Sequence, residues 1–70
     1  MQGQYTAVVK QEGEWWIGWI EEVPGVNCQE RTHDELMETL RETLGEALEM
    51  NKQDALAAAE GGYREEPLSL

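Results

Sequence analysis

The chain has too few cysteines and histidines to build a disulfide or a metal site from them. Cys28 is the only cysteine and His33 the only histidine in 70 residues. One thiol cannot form an internal disulfide, and one Cys with one His falls short of the four ligands of a structural zinc site. Because unpaired cysteine is typical of a reducing compartment, we expect a cytoplasmic protein.

Basic residues are also scarce. Five Lys and Arg stand against 15 Asp and Glu, which gives a formal net charge of −10. They are spread singly along the chain, at Lys10, Arg31, Arg41, Lys52 and Arg64. Phosphate contacts need clustered Lys and Arg, so we expect no direct nucleic-acid binding. The charge suits a basic partner instead, although acidity that only confers solubility is the alternative.

Long apolar runs are absent too. No stretch approaches the roughly 20 residues of a membrane span, and Met1–Tyr5 lacks the basic and apolar character of a signal peptide. We therefore expect a soluble protein with no membrane contact and one domain, residues 1–70. So short a chain buries only about 60% of the surface that its unfolded form exposes, and oligomerisation is a common remedy.

What the chain does have is three tryptophans in one segment, Trp15–Ile20, which is predicted to be a strand. Side chains alternate along a strand, so one face carries Trp15, Ile17 and Trp19 while the other carries Trp16 and Ile20. Both faces are apolar, and a single helix covers only one. We expect the other face, with Trp15 and Trp19 or with Trp16, to be buried between subunits of a homodimer or homotetramer.

Flanking segments predict a small antiparallel sheet. Tyr5–Lys10 is predicted as the first strand, Gln11–Glu14 as a hairpin loop and Trp15–Glu22 as the second strand. Pro24 and Gly25 interrupt the pairing, and Val26–Glu30 is long enough for a third strand.

An amphipathic helix is predicted to follow. Thr32 and Glu35 have the spacing of a capping box, and an apolar stripe begins after them at Leu36, Met37, Leu40, Leu44, Ala47 and Leu48. The opposite side carries a row of acids that we take as the candidate partner-binding face, Glu38, Glu42, Glu46 and Glu49. A solvated helix face with no partner is the alternative.

The end of the chain is less regular. A single helix from His33 to Glu60 would be roughly 42 Å long, so we expect a bend near Gly45 or Asn51, or else last turns that project beyond the sheet. Gly61 and Gly62 then end the helix. Tyr63–Leu70 is compatible with a fourth strand, which Pro67 would confine to an edge.

The acids do not form the pattern of a metal-dependent nuclease, which needs several carboxylates converging from strand ends. Glu21 and Glu22 alternate to opposite faces, and helix capping explains Asp34. His33 shares no motif with a nucleophile, and Cys28 fits a small residue on a short strand. We expect no enzyme, and no catalytic, cofactor-binding or metal-binding residue.

The segments Tyr5–Val9, Trp15–Asn27 and Thr32–Leu44, in this order, resemble the HicB-type antitoxins of type II toxin–antitoxin systems. The resemblance covers about residues 4–51. It implies a partial ribonuclease-H-like β-β-β-α-β fold and binding to a small basic mRNA-cleaving toxin of the HicA type. Many such antitoxins carry a carboxy-terminal DNA-binding domain, and we expect none after Gly62.

Together these features predict an α+β protein with a three- to four-stranded antiparallel sheet and one main helix packed on one face. The expected function is that of an antitoxin that neutralises its toxin by direct binding. The alternative is a stand-alone homo-oligomeric module, structural or ligand-binding, without a toxin partner.

Overall fold

The computed structural model describes residues 4–69 as a three-stranded antiparallel sheet with one long helix packed on one face. The elements are β1 (Ala7–Glu12), β2 (Trp15–Ile20), β3 (Asn27–Glu30) and α1 (His33–Ala59), and the strand order is β1-β2-β3. The helix packs against β2 and β3. The predicted α+β class is confirmed.

The β1–β2 hairpin is tighter than predicted. Its register runs from Ala7 opposite Ile20 to Glu12 opposite Trp15, which leaves two residues for the turn. Gly13 takes a φ of +61° there, a left-handed value that glycine adopts without steric cost. Because the turn is so short, Gln11 and Glu12 belong to the ladder instead of the loop.

The connection from β2 to β3 is longer than predicted, since β2 ends at Ile20 and β3 begins at Asn27. The first two residues of this connection form hydrogen bonds with Thr6, the residue before β1. The Glu21 N–H donates to the Thr6 carbonyl at 2.9 Å, and the Thr6 N–H donates to a Glu22 carboxylate oxygen at 2.7 Å. That second bond stabilises the charged carboxylate and lowers the pKa of Glu22.

The core lies between the sheet and the first half of the helix. Its buried residues are Ile20, Val23, Val26, Leu36 and Leu40, with Leu36 at 0% and Leu40 at 1% exposure. Gly18 allows this close packing. A Cβ atom at Gly18 would lie 3.0 Å from Leu40 Cδ1, 3.2 Å from Leu36 Cδ2 and 3.1 Å from the Val8 carbonyl oxygen.

The helix begins where the capping pattern predicts. Thr32 is the N-cap, with an extended backbone, and its Oγ1 accepts a 3.1 Å hydrogen bond from the Glu35 N–H. The Thr32 hydroxyl in turn donates to the Glu35 carboxylate at 3.1 Å. One of the helix's four otherwise unpaired N–H groups is thereby satisfied.

Replacing Thr32 by alanine is expected to lower the free energy of unfolding by about 1 kcal/mol, because the Glu35 N–H loses its acceptor. Urea denaturation followed by circular dichroism measures the change. Thr32→Ser retains the hydroxyl and should stay close to the parent. A Thr32→Ala protein as stable as the serine variant would contradict the role of the cap.

Downstream, α1 continues as one helix of 27 residues through both Gly45 and Asn51. At 1.5 Å per residue it is about 40 Å long, whereas a six-residue strand spans about 20 Å. Its packing against the core ends at Leu48, and from Glu49 to Ala59 every side chain is exposed except the half-buried Leu56. The two predicted alternatives were a bend in the helix and last turns that project beyond the sheet. The structure has the second.

No strand forms over residues 63–69, so the fourth strand is not found there; Leu70 lies outside the described residues. Pro67 has no N–H to donate to a ladder. Tyr63 and Leu68 are 47% and 89% exposed, so neither packs into the core. Within residues 4–69, no helical segment combines the length and the apolar character that crossing a bilayer requires.

Candidate functional site

The outer side of the helix carries the predicted acidic row. Its members, which we call the acidic face, are all exposed: Glu38, Glu42, Glu46 and Glu49. They lie opposite Leu36 and Leu40, which are buried against the sheet. The row is thus placed on the solvent side, as the helical periodicity predicts.

The carboxylates of the acidic face are not neutralised by ion pairs. The salt bridges formed by residues 4–69 are Lys10–Glu12, Arg31–Glu14 and Arg64–Glu66, with His33–Asp34 as a fourth when the imidazole is protonated, and none includes a member of the row. The uncharged side-chain amide of Gln53 donates a 2.8 Å hydrogen bond to the Glu49 carboxylate. Like charges four residues apart cost a few tenths of a kcal/mol per pair, so the row weakens the helix slightly.

Arg41 is the basic residue closest in sequence to Glu38 and Glu42. Its side chain lines an apolar groove with a volume of about 240 Å³, together with Tyr5, Met37 and Leu44 among others. The groove lies beside β1, the strand that the helix covers least. Arg41 thus lines the groove and forms no ion pair with Glu38 or Glu42.

On the other side of the molecule, the sheet is uncovered. Trp15, Ile17 and Trp19 project away from the helix, and we call these three the open sheet face. Their cross-strand neighbours are Val8, Lys10 and Glu12 on β1 with Asn27 and Gln29 on β3. Trp15 and Trp19 remain 38% and 37% exposed, while Ile17 is half-buried.

Trp16, the alternative candidate for the subunit interface, lies on the helix side. Its ring meets the ring of His33 edge to face, with centroids 5.3 Å apart and an interplanar angle of 80°. It is half-buried and packs against the core. The interface prediction therefore narrows to Trp15 and Trp19, because the helix already covers the face that carries Trp16.

One contact of the open sheet face was missed from the sequence. The Arg31 guanidinium carbon lies 4.4 Å from the centre of the Trp15 ring, and its Nη1 is 3.5 Å from a carboxylate oxygen of Glu14. Such a cation–π contact is worth about 0.5–1 kcal/mol at an exposed site. The contact follows from the strand register, since Glu30 pairs with Trp16 and Arg31 is the next residue, and the sequence alone does not give that register.

The residues considered for catalysis do not meet. Cys28 Sγ faces the helix and donates to Thr43 Oγ1 at 3.5 Å, whereas His33 Nδ1 is 3.4 Å from its neighbour Asp34. Within the described part of the chain, no group of three or more His, Cys, Asp or Glu side chains could hold a metal ion. The absence of an enzymatic function stays a prediction.

Neither protein-family models, nor curated proteins, nor solved structures gave a match to this chain. The resemblance to HicB-type antitoxins therefore stays a prediction that rests on the residues quoted for it. What the chain does can be argued from its two opposite surfaces, the acidic face of the helix and the open face of the sheet.

Proposed function

We propose that this protein is an antitoxin-like binding protein of the HicB type, which neutralises a small basic ribonuclease by covering the surface that binds RNA. The acidic face is the observation that carries the proposal. Its four carboxylates are exposed, lie on one side of a helix that the sheet holds in place, and form no ion pair with another described residue.

The spacing of these acids supports an extended contact. Residues four apart on a helix are about 6 Å apart along its axis, and Glu38 to Glu49 span about 16 Å. Surfaces that bind RNA carry positive charge for the phosphates. A rigid row of carboxylates presents negative charge at regular intervals and would compete with RNA for the same Lys and Arg side chains.

We also propose that the protein acts in the cytoplasm, where Cys28 stays reduced, and as a homodimer or homotetramer. The open sheet face favours self-association. It equally favours the second candidate function, a homo-oligomeric module without a toxin. Co-expression with an adjacent reading frame for a basic protein, followed by pull-down, separates the two candidates.

Changing Glu38, Glu42 and Glu46 together to lysine is expected to slow association with the basic partner at least tenfold. Electrostatic steering raises association rates by about 10- to 1,000-fold, and exposed charges act mainly through this rate. Each reversal adds two charges, so the triple variant moves the net charge from −10 to −4. Stopped-flow binding at several salt concentrations measures the rate, and salt should slow the parent more than the variant.

A second triple variant controls for net charge alone. Asp54, Glu65 and Glu66 are exposed and lie outside the acidic face, and their reversal to lysine gives the same net charge. This control should keep most of the parent's rate. Equal slowing by both triples would show that only overall charge matters, and no slowing by either would reduce the acidic face to a solvated surface.

A further inference from the structure

We propose that the open sheet face packs against the same face of a second copy, forming a two-fold dimer with the acidic faces of the two copies on opposite outer sides. The dimer itself does not depend on the antitoxin function. The statement that each dimer has two separate partner sites does rest on the antitoxin function.

The first reason is apolar surface that the chain cannot cover by itself. The only long helix among residues 4–69 lies on the other side of the sheet, and Trp15, Ile17 and Trp19 form a continuous apolar stripe along β2. Tryptophan is favoured in the centres of protein interfaces, and side chains from two stacked sheets interdigitate about 10 Å apart. A second sheet of the same kind is the shape that such a stripe fits.

Charge favours another copy as the occupant. Lys10 pairs with Glu12 at 3.0 Å, and Arg31 pairs with Glu14 at 3.5 Å, so the four charged residues beside Trp15 and Ile17 sum to zero. Near Trp19 the cross-strand neighbours, Val8 and Asn27, are uncharged, and Glu21 follows only after the strand has ended.

This local balance contrasts with the chain as a whole, whose net charge is −10. Two copies of so acidic a protein repel each other over most of their surfaces, but not at the open sheet face. A basic protein, by contrast, gains no electrostatic attraction from a locally neutral patch.

The layer order also keeps the two acidic faces apart. In a back-to-back dimer the layers run helix, sheet, sheet, helix, and with about 10 Å per layer the acidic faces lie roughly 40 Å from each other. The Debye length is about 8 Å at physiological ionic strength, so repulsion between the two rows is screened. A dimer that packed through its helices would instead bring the two acidic faces into contact.

The small size of the face favours a weak dimer over an obligate one. Three strands about 4.8 Å apart and six residues long give a footprint of about 14 by 20 Å. This is smaller than the roughly 800 Å² of accessible surface that each partner buries in a standard stable interface. We therefore expect a dimer that dissociates in the micromolar range.

Light scattering after size exclusion, over a dilution series of the purified full chain, tests the proposal. The mass should rise with concentration from the chain mass of 8.0 kDa to twice that value. Tryptophan emission should shift to shorter wavelength over the same range, because Trp15 and Trp19 leave water. A mass of 8.0 kDa at every concentration up to the high micromolar range would overturn the proposal.

The variant Ile17→Glu places a charge in the middle of the stripe and retains all three tryptophans. Ile17 lies opposite Lys10, so the new carboxylate has a partner within the monomer. The variant should remain monomeric at concentrations where the parent is dimeric, without the emission shift. Met50→Glu, at a 66% exposed apolar position on the helix, is the matched control and should dimerise like the parent.

Circular dichroism checks that Ile17→Glu folds. If it does not, the double variant Trp15→Gln and Trp19→Gln, at side chains that are 38% and 37% exposed and outside the buried core, should be monomeric for the same reason. A folded variant of either kind that still dimerises with the parent's affinity would place the interface elsewhere and refute the proposal. Neither result bears on toxin binding, which is measured separately through the acidic face.

Discussion

Replacing Leu40 by alanine is expected to lower the free energy of unfolding by about 2–5 kcal/mol. Leu40 is 1% exposed, and its Cδ1 atom fills the space above Gly18 together with Cδ2 of Leu36. Alanine would leave a cavity at the point where the helix meets the sheet. A domain of this length has roughly 4–10 kcal/mol of stability in total, so the loss is a large share of it.

Urea denaturation followed by tryptophan emission measures this loss, with Leu44→Ala as the control. The helical stripe alone ranks the two leucines equally, and both line the open groove beside β1, but Leu44 is only half-buried whereas Leu40 is 1% exposed. The truncation of Leu44 removes less buried surface and leaves no closed cavity, so the cost should be clearly smaller. Equal costs would mean that the groove is closed in solution.

Changing Gly18 to valine is expected to lower the free energy of unfolding by about 3 kcal/mol, a loss comparable to that of Leu40→Ala. The added Cβ would lie 3.0 Å from Leu40 Cδ1 and 3.1 Å from the Val8 carbonyl oxygen. A leucine side chain can rotate, but a strand carbonyl moves only if the β1–β2 ladder shifts with it. Inserting carbon atoms into a packed core costs typically about 1–3 kcal/mol, and the branched valine belongs at the upper end.

Gly45 provides the matched control for this substitution. A Cβ there would meet nothing within 4 Å, so Gly45→Ala should stabilise the helix by up to about 1 kcal/mol. Both variants are compared with the parent in the same urea titration. If Gly18→Val were as stable as the parent, the close approach of helix and strand would not exist as described.

Much of the fold follows from local signals in the sequence. Thr32 and Glu35 give the start of the helix, the repeated leucines give its buried side, and the tryptophan strand gives the centre of the sheet. Each of these signals depends on residues that are close together in the chain, so the sequence alone is enough to predict the feature. The acidic face follows equally directly, since Glu38 and Glu42 must lie opposite Leu36 and Leu40.

Other features depend on contacts between distant residues. The helix covers the face of β2 that carries Gly18, because the missing side chain there lets Leu36 and Leu40 approach the strand. This packing decides which tryptophans the helix covers. The strand ends depend on a turn of two residues, and the contact of Arg31 with Trp15 depends on the register of β3. The sequence of residues 63–70 is compatible with a fourth strand, but extended residues form a strand only where an edge pairs with them.

Because the helix is longer than the sheet, its two halves differ in stability. Up to Leu48 its hydrogen bonds open only when the sheet detaches, whereas from Glu49 to Ala59 they are backed by little packing. An isolated helix of about ten residues is marginal in water, so these turns fray through a helix–coil equilibrium of their own. A thermal melt recorded by helical ellipticity therefore combines fraying with unfolding. Emission from the three tryptophans, all in β2, does not respond to this fraying; it follows the loss of the sheet and any dissociation of a dimer.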